Sequence, residues 1–419
     1  MGQNGMGDIV EYEISRLGAQ ADGVVDAADG PIFVPYALPG ENVRAESQGQ
    51  RARLVEVITA SPHRIAPVCR HFGSCGGCAI QHLAHDEYKA WKRGSVVAAF
   101  TSRGLDVEVS DLVTVGHGAR RRAVFTAKRS GREVALGFHA AGSHDVVDLT
   151  ECVVIDPGIV QLLPRLKTFV APLVPDNGEA RVTVLSASNG FDVAIEIGSM
   201  GTDLTPGQRA RLASRAAELK LVRFSLNGDT VYQMADPTVT MGSAHVTPPP
   251  GVFLQASAAA EAAMAQIIVA SLPKRAKRAV DLFSGMGAFS YALAARVGVL
   301  AVDSEAKAIG ALETGKRYAK GLKPIETRVR DLMREPLSRK ELEGFDLAVF
   351  DPPRAGAQAQ AGMLAKSAVP VVVAVSCNPA TLARDARILI DGGYKLGRVT
   401  PIDQFIYSPH VEVVAVFTR

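Results

Sequence analysis

The chain has 419 residues, 47% hydrophobic and 21% charged, enough for two or three domains of roughly 100–200 residues each and too apolar for a disordered or fibrous chain. Lysine and arginine number 46 against 43 acids, a net charge of +3, so any basic surface has to be local. The longest apolar run, Ala368 to Val375, falls far short of the roughly 20 residues that span a bilayer, and Met1 to Glu11 carry no charged leader before an apolar core; a cytoplasmic chain with reduced thiols is expected, without membrane contact.

Residues 8–60 hold short β-type runs, VEYEIS, IFVPYAL and RLVEVIT, punctuated by Gly23, Gly30, Pro39 and Gly40, a spacing that predicts a small all-β barrel. Three cysteines, Cys69, Cys75 and Cys78, follow in CRHFGSCGGCAIQHL. From His85 to Gly104, Tyr88, Trp91, Val96, Val97 and Phe100 recur at helical spacing and predict one amphipathic helix, free to pack on the C-terminal domain. The rest of residues 61–245 reads as α+β: RRAVFTAK, VALGFHA, RVTVLSAS and FDVAIEIG are strand-like, with one helical stretch around Gly207 to Glu218. Cys152 stands alone there, in DLTECVVID. Arg120 to Arg132 holds six basic residues and no acid, a candidate local phosphate-binding patch that includes Arg120, Arg121 and Arg122. Residues 246–419 alternate apolar strand runs (RAVDLF, VGVLAVD, DLAVFD, VPVVVAVSC) with Ala-rich helical segments, the pattern of a parallel, doubly wound sheet.

In that last region RAVDLF ends at Phe283 and runs into Ser284, Gly285, Met286 and Gly287, glycines that let a backbone approach a ligand closely. Asp303 closes the next strand, where a carboxylate can accept from both hydroxyls of a ribose. No third glycine completes a pyrophosphate fingerprint, so S-adenosylmethionine is the favoured cofactor and a methyltransferase the leading class. Asp331 and Asp351 stand at two further strand ends. Enzymes that methylate exocyclic amines carry an aromatic residue after a proline pair such as Pro352-Pro353; Arg354 stands there instead and argues for another target. Cys377 ends the most apolar strand, beside Asn378 and Pro379, a predicted helix cap and first turn whose partial charge favours a thiolate. Such a nucleophile suits a poorly reactive carbon: thiolate addition at carbon-6 of uracil makes carbon-5 an enolate. Glu412 in SPHVEVVAVF is the candidate base for the carbon-5 proton, and His410 a weaker one.

Together FLQAS, DLFSGMGAF, DPPRAG, SCNPATLARD and HVEVVAVF resemble the RNA 5-methyluridine (uracil-5) methyltransferase family, over nearly the whole chain. The resemblance implies a Rossmann-like class I methyltransferase domain at 246–419, an OB-like TRAM barrel binding RNA at 8–60, and a central α+β RNA-binding domain at 61–245 carrying an iron-sulfur site. It assigns the nucleophile to Cys377, the base to Glu412, and S-adenosylmethionine contacts to Gln255, Phe283, Asp303, Asp331 and Asp351, beside Gly285 of the glycine turn. Ser257, where many members have asparagine, and Ala288, where a polar residue often stands, depart from the pattern. Spacing alone lets Cys69, Cys75, Cys78 and Cys152 close either a zinc site or a 4Fe-4S cluster; three cysteines in one loop with a remote fourth resemble the cluster of the ribosomal members. A monomer acting on ribosomal RNA is expected, with transfer RNA, or a noncatalytic iron-sulfur RNA-binding protein, as the alternatives.

Overall fold

The computed structural model describes residues 8–198 and 204–419. The leader reading rests largely on residues 1–7, which lie outside them. The runs within 8–60 form a six-stranded, mostly antiparallel sheet from Ile9–Glu13 to Arg51–Thr59, wrapped around Ile14, Val34, Ala37, Val43, Ala45 and Ala52. A second sheet of seven strands, from Arg122–Ser130 to Asp229–Gln233, makes the middle of the molecule. Two helices accompany it, not the single one expected: Pro157–Val170 precedes Pro206–Glu218. In the first, Asp156 caps Gly158, Pro157 occupies the first turn, and Ile159, Leu162, Leu163, Leu166, Phe169 and Val170 are buried. Its internal Pro164, normally a helix breaker, hides that apolar period in the sequence.

The C-terminal sheet is built from β1 (Arg278–Leu282), β2 (Gly298–Asp303), β3 (Ile325–Val329), β4 (Leu347–Phe350), β5 (Val371–Ser376), β6 (Lys395–Asp403) and β7 (Glu412–Thr418). They lie in the order β3-β2-β1-β4-β5-β7-β6, and a short strand, Val113–Thr114, extends the β6 edge. The first five strands are parallel, while β7 runs antiparallel between β5 and β6. Each face has its own core. One packs Leu282, Phe350 and Leu382 with Val96 and Phe100 of the helix His85–Thr101, so that helix belongs to the sheet's layer. The other packs Ala301 and Val349 with Met264, Phe289 and Leu312. Among the described residues no helix is long and apolar enough to cross a membrane.

Candidate active site

Strand direction assembles the site. Parallel strands bring their C-terminal ends to one edge, and ligands bind where the strand order reverses, here between β1 and β4. Asp303 ends β2, and Phe283, Asp351 and Cys377 directly follow β1, β4 and β5, all at that edge. Antiparallel β7 starts there: Ser376 pairs with Val413, and Glu412 pairs with Ile402 of β6. The register therefore brings Cys377, Glu412 and the residues just after β6 side by side.

The turn after β1 is shaped for close approach. Phe283, Gly285 and Gly287 all have positive φ, +63°, +53° and +93°. A Cβ on Gly285 would meet nothing within 4 Å, whereas one on Gly287 would lie 2.7 Å from Leu312 Cδ1; the first glycine opens onto free space and the second is packed. Asp303 accepts from the backbone N–H of Gly285 and of Glu305, both at 2.8 Å, which fixes its carboxylate and leaves lone pairs for further donors. Beneath it, Asp281 is buried and accepts from Ser290 Oγ at 2.6 Å, while its other oxygen and Ser284 Oγ have no partner among the described residues. Burial, and secondarily Asp351 and Asp303, push the Asp281 carboxyl up to about 7. Asp331 departs from the group: it is exposed and accepts from Met333 N at 3.0 Å, holding its own turn. Ser257 caps the helix Ala258–Ala270, accepting from Ala260 N at 3.4 Å, a structural task for that departure.

A second group centres on two carboxylates and two amides. Gln255 Nε2 donates to Asp351 Oδ2 at 2.8 Å. Gln404 Nε2 donates to Gln255 Oε1 at 2.9 Å and to Glu412 Oε1 at 2.8 Å. Glu412 is 4% exposed and Gln404 2%; Glu412 Oε2 and Gln404 Oε1 have no partner among the described residues. Burial raises both carboxyls, Asp351 adding to the effect on Glu412. Gln404 was not visible in the sequence, since a polar residue after a strand is ordinarily solvated; only the register reveals it.

Cys377 faces this pair. Asn378 does cap the helix Pro379–Asp391, accepting from Ala380 N at 3.1 Å, yet the expected lowering of the thiol is not found. Burial, then Glu412 and Asp351, push it up to about 11, against small lowering effects of its own backbone and Arg354. One helix terminus cannot outweigh desolvation and two facing carboxylates. His410 is lowered by burial and turned onto the Phe405 ring.

Within the basic segment, the first three arginines are engaged by the protein itself. Arg121 is an inward-facing brace: it donates to Gln255 O at 3.2 Å and pairs with Glu261 at 2.7 Å, side chains 12% and 8% exposed. Arg122 donates to Gly251 O at 3.1 Å, and Arg120 lines a different cavity. A local excess of charge does not reveal which way side chains turn.

That cavity, about 390 Å³, is lined by Cys69, Cys75, Cys78 and Cys152 together with Arg120, Gln81 and Phe138. All five cysteines are free. Burial, above all, pushes the Cys78 thiol up to about 12, with the other three thiols contributing. Among the described residues no three His, Cys, Asp or Glu converge closely enough to hold one metal ion.

The sheet order and this edge define a class I methyltransferase fold. A family model for tRNA (uracil-5-)-methyltransferases matches residues 212–419. An uncharacterized RNA methyltransferase of Brucella suis biovar 1 is 45% identical over 98% of both chains. The 23S rRNA (uracil(1939)-C(5))-methyltransferase RlmD of Chromohalobacter salexigens is 32% identical over 97% of this chain and 88% of its own. The crystal structure of the Pyrococcus abyssi tRNA (uracil-54, C5)-methyltransferase in complex with S-adenosyl-L-homocysteine has the same fold, with a TM-score of 0.76 at 23% identity over 98% of this chain and all of that one. The chain belongs to the RNA uracil-5 methyltransferase family, enzymes that use S-adenosylmethionine.

Proposed function

We propose that this enzyme methylates carbon-5 of one uridine in 23S rRNA through a covalent bond to Cys377. The observation that carries the mechanism is the strand register that sets Cys377, directly after Ser376, beside Glu412, directly before Val413, with Glu412 joined to Asp351 through Gln404 and Gln255. S-adenosylmethionine, when bound, supplies a methyl group on a sulfonium leaving group. Residues suited to hold it are Phe283, Gly285 and Asp303, by the open space over Gly285 and the fixed Asp303 carboxylate, with Asp351 and Gln255 toward the reacting centre. The Cys377 thiol gives its proton to a facing carboxylate as the sulfur bonds to carbon-6 of uracil, and the ring's electron pair moves to carbon-5. After methylation Glu412 takes the carbon-5 proton, the carbon-5–carbon-6 double bond re-forms, and the sulfur leaves.

The test is a pair of variants with methyl-labelled cofactor on denaturing gels. Cys377→Ala should give neither product nor adduct, whereas Glu412→Gln should stop with methylated RNA attached to the protein. Turnover by Cys377→Ala would overturn the mechanism. Ribosomal RNA is supported by the 32% identity to RlmD over almost the whole chain; mapping 5-methyluridine position by position in a deletion strain decides between it and transfer RNA.

The four-cysteine cavity belongs to the same proposal, as the seat of a 4Fe-4S cluster. Four thiols around about 390 Å³ suit a cluster with an iron at each corner better than one zinc ion, which draws four sulfurs to about 2.3 Å. These four thiols would hold all four irons and leave none for the cofactor, so the cluster would serve structure. Protein purified without air should be brown with four irons per chain; stoichiometric zinc would refute the assignment.

A further inference from the structure

Between β6 and β7 runs a loop, residues 404–411, that starts with Gln404 and leads into Glu412. Ser408 ties it internally, donating through N and Oγ to Phe405 O and accepting from His410 N; its other anchors come from outside. The backbone N–H groups of Ala79 and Ile80, directly after Cys78, both donate to Tyr407 O, at 2.7 and 3.2 Å. Tyr407 holds a left-handed backbone, φ +62°, which a residue with a side chain keeps only when its surroundings enforce it. Tyr88 Oη accepts from Tyr407 N at 3.0 Å and donates to Asp403. Lys92, wholly buried, pairs with Asp403 and donates to Phe405 O at 3.0 Å and His410 O at 2.6 Å. One ammonium thus grips the loop near both ends. From the other wall of the cysteine cavity, the Arg120 guanidinium lies 5.4 Å from the centre of the Phe405 ring, its Nε buried and unpartnered.

We propose that residues 79–92 and Arg120 form a brace from the four-cysteine cavity to the 404–411 loop, with Lys92 as its central positioning residue, so that filling the cavity fixes where Gln404 and Glu412 stand. Cys78 and the two N–H donors that follow it are consecutive, so a displacement of the cysteine loop moves Tyr407 directly. A buried ammonium with three oxygen acceptors is satisfied in one geometry only and tolerates little drift of the loop. The brace acts on proton removal through Gln404 and Glu412; the turn after β1, with Gly285 and Asp303, shares none of these contacts, and the cofactor side meets the braced loop where Gln404 donates to Gln255. This inference rests on the reading of the cavity as a cluster site.

Amide hydrogen exchange on the full-length protein tests it, comparing segment 404–412 with the cofactor strands 278–303, before and after iron is stripped by a chelator. Stripping should accelerate exchange in 404–412 by about tenfold or more and leave 278–303 unchanged, because a freed loop opens locally. In the iron-loaded protein, Lys92→Met combined with Asp403→Asn, which removes both buried charges and keeps an acceptor for Tyr88, should do the same. That variant should bind S-adenosylmethionine as wild type does and accumulate the methylated covalent adduct. Iron-loaded protein whose loop exchange is unmoved by stripping, or a double variant with wild-type exchange and product release, overturns the brace. Acceleration spread equally over 278–303 is general unfolding and also counts against it. Protein isolated without iron would bring down the cluster reading and the occupancy claim with it, while the Lys92 arm, run on the protein as isolated, still decides whether residues 79–92 hold the loop.

Discussion

Replacing Gln404 by leucine, a residue of similar volume, tests the buried amide chain most directly. Gln404 Nε2 is the only hydrogen-bond donor found for Glu412 among the described residues, and it also serves Gln255. Its hydrogen bond is the one influence that lowers the Glu412 carboxyl, against burial first and Asp351 second. A hydrogen bond to a charged group contributes about 1.5–3 kcal/mol, and about 1.4 kcal/mol corresponds to one pH unit. Its removal should therefore raise the Glu412 carboxyl by about one to two pH units. Only the ionised carboxylate can take the carbon-5 proton, so the rate of adduct breakdown rises with pH through this ionisation. In Gln404→Leu that rise should move upward by the same interval, with breakdown at pH 7 slowed by about ten- to a hundredfold. The assay is single-turnover release of methylated RNA from the covalent adduct between pH 6 and 10, with S-adenosylmethionine affinity as the control. A profile with an unmoved midpoint, at any overall rate, would refute the role given to Gln404.

Three further outcomes follow from packing and burial. Arg121→Met leaves Glu261 buried and unpaired, which costs about 3–5 kcal/mol; denaturant unfolding should report that loss, while the salt dependence of RNA binding stays at the wild-type slope. Gly287→Ala places a Cβ 2.7 Å from Leu312 Cδ1 at φ +93° and should cost about 1–3 kcal/mol, with weaker S-adenosylmethionine binding by calorimetry. Asp281, raised to about 7, favours the folded state only while protonated; its contribution is whole below the ordinary carboxylate range and is lost as pH rises to about 7. Stability of Asp281→Asn relative to wild type should accordingly increase from about pH 4 to pH 7 and level off above, and parallel stability curves would contradict this.

What could be read in advance follows the geometry of parallel strands. Asp303, Asp351 and Cys377 were legible because each closes an apolar run, and parallel runs end on one edge. Glu412 needed a motif, because its strand returns antiparallel and only the pairing of Ser376 with Val413 shows that it starts at that edge. Gln404, Arg121 and Lys92 were illegible for a common reason: each acts on a partner far along the chain, as Arg121 does on Glu261 at a separation of 140 residues. No local pattern distinguishes such a side chain from a solvated one. The same gap misled the reading of Arg120 to Arg122, where the charge was visible but the inward orientation was not, and that of Cys377, where the helix cap was visible but the two facing carboxylates were not.

The raised thiol sets a condition on the first chemical step. With Cys377 near 11, ionisation to bulk water at pH 7 leaves about one thiolate in ten thousand, an uphill step of about 5 kcal/mol. Asp351 and Glu412 are raised by the same burial, so their affinity for a proton lies nearer to the thiol's than water's does. Passing the proton across the pocket is then the less costly route, and it keeps the net charge of the buried group constant. Under this route adduct formation rises with pH only while the accepting carboxylate ionises, then stays level until the thiol itself titrates. RNA bearing 5-fluorouridine at the target isolates the step, because carbon-5 then has no proton to give up and the adduct persists with both carboxylates intact. Adduct formation measured from pH 5 to 10 should plateau below the thiol range. A rate that climbs about tenfold per pH unit up to pH 10 would mean that the proton leaves for solvent, and that neither carboxylate acts before methyl transfer.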